Sequence, residues 1–591
     1  MADLFRGSVI LNSCKKAAQG VRNTARHSLL FRPKAPREHT TPGAVKLVNR
    51  WHPILATQQA MAKSPVFNWL YHYWENLLAG PASALLWLMI PFCAGMFGVL
   101  WYKGGWAPGH LILAFLGIAA LLLLKMGTLE EVIRGWWLYR RVAKWVPLPK
   151  GTPRRSVCLY LALCGLAGVA AGWKLGLLIG GCAALVLAVA PAVFAIPPMA
   201  LLYLLMGALP LAGTALCWIL SVALCVTLMF ARAFGKEQGR PVDGWDLALT
   251  VFPLYCIAST LFSYNVGDSA KVTFMWLGLF VCAFALRRLI TTPQRLVGAL
   301  TALTLGGVVS GCIGLLQYLT GQIDTTWTDT SMFEDLELRV YSTFANPNVF
   351  GEFLLFLIPL VLGLILYTEN PKLRLLLIGA DGLLLVNLAL TYSRGCYVGI
   401  ALTALFFLWH YSKKWMAVIL TLGLPLAIVV MPQSVVERIL SIGNMSDGST
   451  SYRMMIYVGT LAMLTHHWLG GIGLGEGAFN TVYPLYAVPG ALAEHSHSLF
   501  FQLAVSFGVM GLVYGIGLLV AYQKTTGAAR KKAKGPMRGL TVAFNTVLWG
   551  LMTQSIFDYT WYNYRLFQLF WIVVALGLSV ACMKEDNHDQ A

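Results

Sequence analysis

"AEHSHSLFFQLAVSFGVMGLVYGIGLLVAY", residues 493–522, sets Glu494, His495, Ser496, His497 and Ser498 directly ahead of a long uncharged run. From Leu499 onward that run is long and apolar enough to cross a bilayer as a helix. Polar groups are costly in lipid, so the stretch before it is either a loop end meeting water or a working site. The rest of the chain decides between them.

Similar runs recur along the 591 residues, of which 58% are hydrophobic and 12% charged. Soluble domains carry about 25% charged residues, so this composition, with apolar runs from Pro81 onward, predicts an all-α, polytopic transmembrane bundle. Helices fit near 82–102, 108–125, 246–264, 272–288, 295–319, 348–367, 374–391, 396–412, 415–431, 499–521, 541–557 and 566–583. The apolar stretch 156–232 must return to its starting side and so holds an even number. With four there, the expectation is about 14–16 spans with both termini inside.

The 12 cysteines form no framework. Cys158, Cys164, Cys182, Cys217, Cys225, Cys256, Cys282 and Cys312 sit inside apolar runs, and there is no CxxC, so they read as small buried hydrophobes. No apolar segment follows the first basic residues, so no cleaved signal is expected.

The net charge of +19 is what a nucleic-acid binder would show, but in a membrane chain it reports orientation. No nucleic-acid partner is expected. Residues 1–80 hold 11 Lys/Arg against three acids and read as a partly disordered cytoplasmic region on the anionic inner leaflet. Basic connections at Lys125–Arg155, Arg232–Arg240, Arg287–Arg295, Lys372–Arg374, Lys413–Lys414 and Lys524–Arg538 are placed inside. Within the first, "LEEVIRGWWLYRRVAKWV" mixes aromatic and basic residues as an interfacial helix does.

Alternation then puts 320–347 and 432–498 outside, and neither contains a lysine. The first carries Asp324, Asp329, Glu334, Asp335 and Glu337 against one arginine. The expected organisation is N-terminal helices over 81–245, a main transmembrane domain over 246–583 with outer loop 432–498, and a cytoplasmic tail at 584–591.

Against that lysine-free face the arginines stand out: Arg339, Arg394, Arg438, Arg453 and, in the last short loop, Arg565. Each alone reads as snorkelling or a structural ion pair. Arg394 and Arg453 at one depth, joined by His497, suggest more. Guanidinium groups bind phosphate oxygens bidentately and stay charged, so two of them can hold a diphosphate without a metal. Arg453 lies in "STSYRMMIYVGTLAMLTHHWLGG", whose spacing suggests a helix on the membrane interface.

"GGIGLGEGAF", residues 470–479, has the look of a dinucleotide loop but follows a helix instead of a strand. Glycines that let the loop turn back toward the membrane are the better reading. His466, His467, His495 and His497 offer four nitrogens, but no cysteine or well-spaced acid completes a zinc set, and no metal or cofactor is expected. For His497, capping of the next helix stands beside a catalytic or phosphate-contacting role, since imidazole transfers protons near neutral pH.

Together these pieces resemble the O-antigen ligase and O-antigen polymerase superfamily of bacterial membrane glycosyltransferases. The ligases share a histidine followed by Asn, Ser or Gln, nine residues, then a Gly-x-x-Gly-like element. Here that reads His497, Ser498, Leu499–Phe507, then Gly508-Val509-Met510-Gly511. His495 misses the spacing. "RVYSTFANPNVFGEFL" (339–354), "TYSRGCYVGI" and "SYR…HHWLGGIGLGEGAF" are similar to further family elements, and the resemblance covers roughly 245–583.

The resemblance implies a helical glycosyltransferase fold in the bacterial cytoplasmic membrane, with its site on the outer face. It implies direct, inverting transfer of a glycan from an undecaprenyl-diphosphate carrier. The acceptor is lipid A core in a ligase and a growing glycan in a polymerase, and the histidine motif favours the ligase. On this reading His497, Arg394 and Arg453 are catalytic, and Arg339, Asn346, Asn348, Ser498 and Glu494 bind substrate. A polysaccharide or lipid flippase is the alternative from another class, but its charges belong near the midplane. A peptidoglycan polymerase ranks lower, because the long loop offers only Glu437 and Asp447 as acids before Arg453.

Overall fold

The computed structural model describes residues 197–583 apart from 235–241, 322–338 and several positions between 424 and 447, together with 59–64, 68, 131, 134 and 135. Most of the basic region 1–80, the spans expected over 81–196, the acids Asp324–Glu337, Asp447 and the 584–591 tail lie outside the described residues. The chain divides into two units: 1–47, 203–222 and 240–591 form one, and 48–202 and 223–239 the other. In the second unit Met61 packs on Phe230, flanked by Val226, Ala233 and Phe234.

Among the described residues the regular elements are all helices, without strands. In order they are α1 (Pro198–Ala208), α2 (Thr214–Ala233), α3 (Gly244–Leu261), α4 (Val266–Phe280), α5 (Cys282–Leu289), α6 (Pro293–Thr320), α7 (Pro347–Tyr367) and α8 (Pro371–Leu390). Then follow α9 (Arg394–Tyr411), α10 (Lys413–Val418), α11 (Gln433–Leu440), α12 (Gly448–His467), α13 (Glu476–Val482), α14 (Leu499–Lys532), α15 (Met537–Phe557) and α16 (Tyr564–Val580). Eight helical segments among them are long and apolar enough to cross a membrane, α4 and α5 counting as one. This is a polytopic helical membrane protein.

Local sequence explains where the helices start. Thr292, Asn346 and Asn370 each cap a helix through the side chain, and each is followed by proline at the first helical position. The expected spans from 246 to 412 and from 499 to 583 all fall on helices. The one expected at 415–431 begins as α10 and a π-turn at Ile419–Gly423 and is described only in part.

The core of the first unit is α7 and α16. Nearly every residue of α7 from Pro347 to Leu364, and all of α16 from Arg565, is buried. α7 packs against α15, α8 and α9. An aromatic cluster of Phe252, Trp276, Phe280, Phe567 and Trp571 ties α3 and α4 to α16. By contrast α8 exposes Leu373, Leu375, Leu376, Ile378, Leu385 and Val386, a surface suited to lipid contact.

At the basic end, buried Arg287 pairs with Asp246 and, at 2.7 Å, with Asp243, joining the start of α3 to the end of α5. Arg565 is also structural: it donates to the Thr343 carbonyl at 2.6 Å and lies over the Phe344 ring.

α14 is broken at Gly508, which has φ 70° and ψ −177°. The segment after α12 docks into that break: the Val509 N–H donates to the Trp468 carbonyl at 2.7 Å, and the Ile472 N–H to the Val505 carbonyl at 2.8 Å. A Cβ on residue 508 would stand 1.9 Å from the Leu469 carbonyl oxygen. Gly508→Ala should therefore cost roughly 2–4 kcal/mol, from the strained φ and the overpacking together. Gly490→Ala, also at positive φ (83°) but in open space, should carry only the backbone cost of about 1–2 kcal/mol. Thermal unfolding of both variants in detergent checks the difference.

Candidate active site

The site is built around Asp558, the residue that ends α15. Its side chain is 7% exposed. One carboxylate oxygen accepts the Tyr559 N–H at 2.9 Å and lies 3.4 Å from His497 Nδ1. The other accepts from Asn348 Nδ2 at 2.9 Å and faces Arg453 at 3.7 Å. Burial alone raises a carboxyl pKa, but the Arg453 guanidinium and the His497 ring outweigh it and hold Asp558 well below the usual carboxylate range. It is an ionised carboxylate that joins a histidine, an arginine and an amide.

Asn348 extends the network. Its amide oxygen accepts from Arg339 at 2.9 Å, while Arg339 Nε donates to the Thr391 carbonyl at 2.8 Å. Arg438 Nε donates to the next carbonyl, Tyr392, at 3.2 Å. The turn between α8 and α9 thus receives two arginines, and Arg394 leaves it as the first residue of α9. Burial, then Arg438 and Arg453, lower the Arg339 pKa to about 9, which still leaves it a cation at neutral pH. Asn346 caps α7, accepting from the Asn348 N–H at 2.8 Å, so its side chain is used in the fold.

α12 supplies Arg453 and, four residues on and therefore on the same face, Tyr457. The Tyr457 hydroxyl donates to the His497 carbonyl at 3.0 Å and lies 3.2 Å from the Ile556 carbonyl. The expected helix at Arg453 is thus a clamp over both His497 and the end of α15. Ser498 is buried, with its hydroxyl 3.3 Å from the Ser555 carbonyl, and it links α14 to α15. Ser496 N–H donates to Gln502 at 2.9 Å. Glu494 sits exposed beyond these contacts.

Among the described residues, the non-glycine positions with positive φ are Ser342, Ala345, Tyr392 and His497. All lie in segments that form this site. Such backbone conformations persist only where surrounding contacts enforce them, and they gather where side chains must be aimed.

The four histidines between 466 and 497 divide into two pairs. His466 and His467 pack against Tyr486, and His467 also against Tyr264. His495 stacks on Tyr562 at 5.2 Å, with the His497 ring at 4.3 Å and Tyr559 at its edge. Among the described residues no three His, Cys, Asp or Glu side chains gather in a metal-binding group.

Burial, then His497, lower the His495 pKa to about 3. In the unfolded chain the same ring titrates near 6.5. The unfolded state therefore binds more protons between these values, and the stability from a neutral His495 is complete above about 6.5. It is lost as pH falls toward 3, at up to about 1.4 kcal/mol per pH unit. His495→Phe should flatten the decline in unfolding temperature between pH 6.5 and 4.5 relative to the unaltered protein.

Of the residues expected from sequence, Arg453, His497, Asn348 and Arg339 are brought into one connected network, and Arg394 stands at its edge. Residues 379–515 match the O-antigen ligase family model. No curated protein matches the chain. The matched segment contains Arg394, Arg438, Arg453, His497 and Gly508. Asn348 in α7, Arg339 in the loop before it and Asp558 just after α15 lie on either side of the match, so the matched segment does not complete the site.

Asp558, Tyr457 and the role of Arg438 were not evident from sequence. A signal for Asp558 existed: in "QSIFDYTWYNYR" it is the one acid between two apolar helices, where an ionisable residue is costly without a partner.

Proposed function

We propose that this protein transfers a glycan from an undecaprenyl-diphosphate carrier to an acceptor hydroxyl on the outer face of the bacterial cytoplasmic membrane. The acceptor on this reading is lipid A core, as in an O-antigen ligase. The observation that carries the proposal is the Asp558 carboxylate, which couples His497 to Arg453 and, through Asn348, to Arg339.

The chemistry follows from those roles. Asp558 beside Nδ1 favours the tautomer with its proton there, leaving Nε2 to accept the acceptor hydroxyl's proton. The acceptor oxygen attacks the anomeric carbon as the bond from that carbon to the phosphate oxygen breaks. Configuration inverts in one displacement, and negative charge develops on the departing diphosphate. Arg453 is 29% exposed and so still reachable, and with Arg339, Arg394 and Arg438 it supplies fixed cations for that charge.

The test uses the purified protein in detergent with undecaprenyl-diphosphate glycan and EDTA. Release of the lipid diphosphate is followed with lipid A core supplied or omitted. Core-dependent release is the expected result. Chain growth without core would make the protein a polymerase using the same donor, and no turnover with any acceptor would return it to the flippase reading.

A further inference from the structure

α7 touches the Asp558 loop twice. Asn348 donates to Asp558 at 2.9 Å, and four residues later Glu352 accepts from the Thr560 hydroxyl at 2.6 Å. Residues four apart share one helix face, so a single face of α7 grips both residue 558 and residue 560. Glu352 is 1% exposed and Thr560 3% exposed. The proposed transfer gives Glu352 no part, yet a carboxyl side chain buried within an apolar helix is costly, and its side-chain hydrogen bond among the described residues is to this loop.

We infer that Glu352 is a positioning residue, which through Thr560 fixes the turn that aims Asp558 at His497 and Arg453. The inference rests on the proposed transfer reaction. From α7, Asn348 reaches the Asp558 carboxylate at a single oxygen. The Glu352–Thr560 hydrogen bond supplies α7's second point of attachment, to the backbone turn whose Tyr559 N–H holds the other oxygen. Displacement of a catalytic group by about 1 Å costs up to 100-fold in rate.

The test compares Glu352→Leu with Glu352→Gln, which keeps an acceptor oxygen for Thr560. Rates, donor KM and the pH profile of kcat are measured in the unaltered background and with Asp558→Asn. Glu352→Leu should lower kcat roughly 10- to 100-fold at unchanged donor KM and shift the acid limb of the profile. Glu352→Gln should retain kcat within about threefold and leave that limb in place. With Asp558→Asn present, Glu352→Leu should cost less than about threefold more, because its target is already lost.

If the leucine variant does not fold, Thr560→Val removes the same hydrogen bond with little change of shape and carries the comparison. An equal penalty in both backgrounds, or a glutamine variant as slow as the leucine one, overturns the inference. If Asp558→Asn slows transfer but Glu352→Leu does not, this inference alone fails. If Asp558→Asn has no effect, the reading of the site fails with it.

Discussion

His497→Ala is expected to lower the rate of the proposed glycan transfer by about 100- to 10,000-fold, the range for removal of a general base. Donor affinity should change little, because the arginines proposed to face the diphosphate remain. The effect is large because His497 is held from several sides. Tyr457 fixes its carbonyl, its backbone sits at φ 48°, and Asp558 lies against Nδ1. An imidazole so restrained reaches the acceptor oxygen without further ordering. His495→Ala, two residues away and stacked on Tyr562, should cost far less. Single-turnover transfer with radiolabelled donor separates the two.

Asp558→Asn is expected to cost a similar factor, about 100-fold or more, with the protein still folded. The amide keeps the size of the carboxylate and an oxygen for Asn348. What it loses is the charge facing Arg453 and the acceptor that favours one His497 tautomer; the same change in the serine-protease triad is costly for that reason. Asp558→Ala should also lower stability, by roughly 2–3 kcal/mol, because Asn348 and Arg453 are both left without their partner. That is below the full cost of breaking a buried pair, since Arg453 is partly exposed and water can replace the lost contact. Transfer rates and unfolding temperatures of the two variants, measured side by side, distinguish the electrostatic loss from the structural one.

The helical architecture was legible because hydropathy in lipid leaves few alternatives, and the cap-plus-proline starts at Asn346 and Asn370 mark boundaries locally. His497 and Arg453 were legible as motif residues. Asp558 was legible only as a lone acid between apolar helices; its role was not, because that comes from Asn348, 210 positions away, and from His497, 61 positions away. No local pattern encodes such separations.

Gly508 is intermediate. Its place in the motif could be read, but the cause is the docking of Trp468–Ile472 against the broken helix, a tertiary contact. Asn346 and Ser498, expected to bind substrate, have side chains that also serve the backbone: one caps α7 and the other reaches Ser555. Polar residues beside a membrane helix serve both ends, and sequence spacing does not separate them.

The most direct test of the account is a double-mutant cycle on single-turnover transfer, with His497→Ala, Asp558→Asn and the pair together. If Asp558 acts by orienting His497, the double variant should transfer within about threefold of His497→Ala alone, because the second change removes a partner that no longer has a task. If the two penalties multiply, the residues act separately, and the account of a carboxylate-held base beside a cationic diphosphate site is wrong.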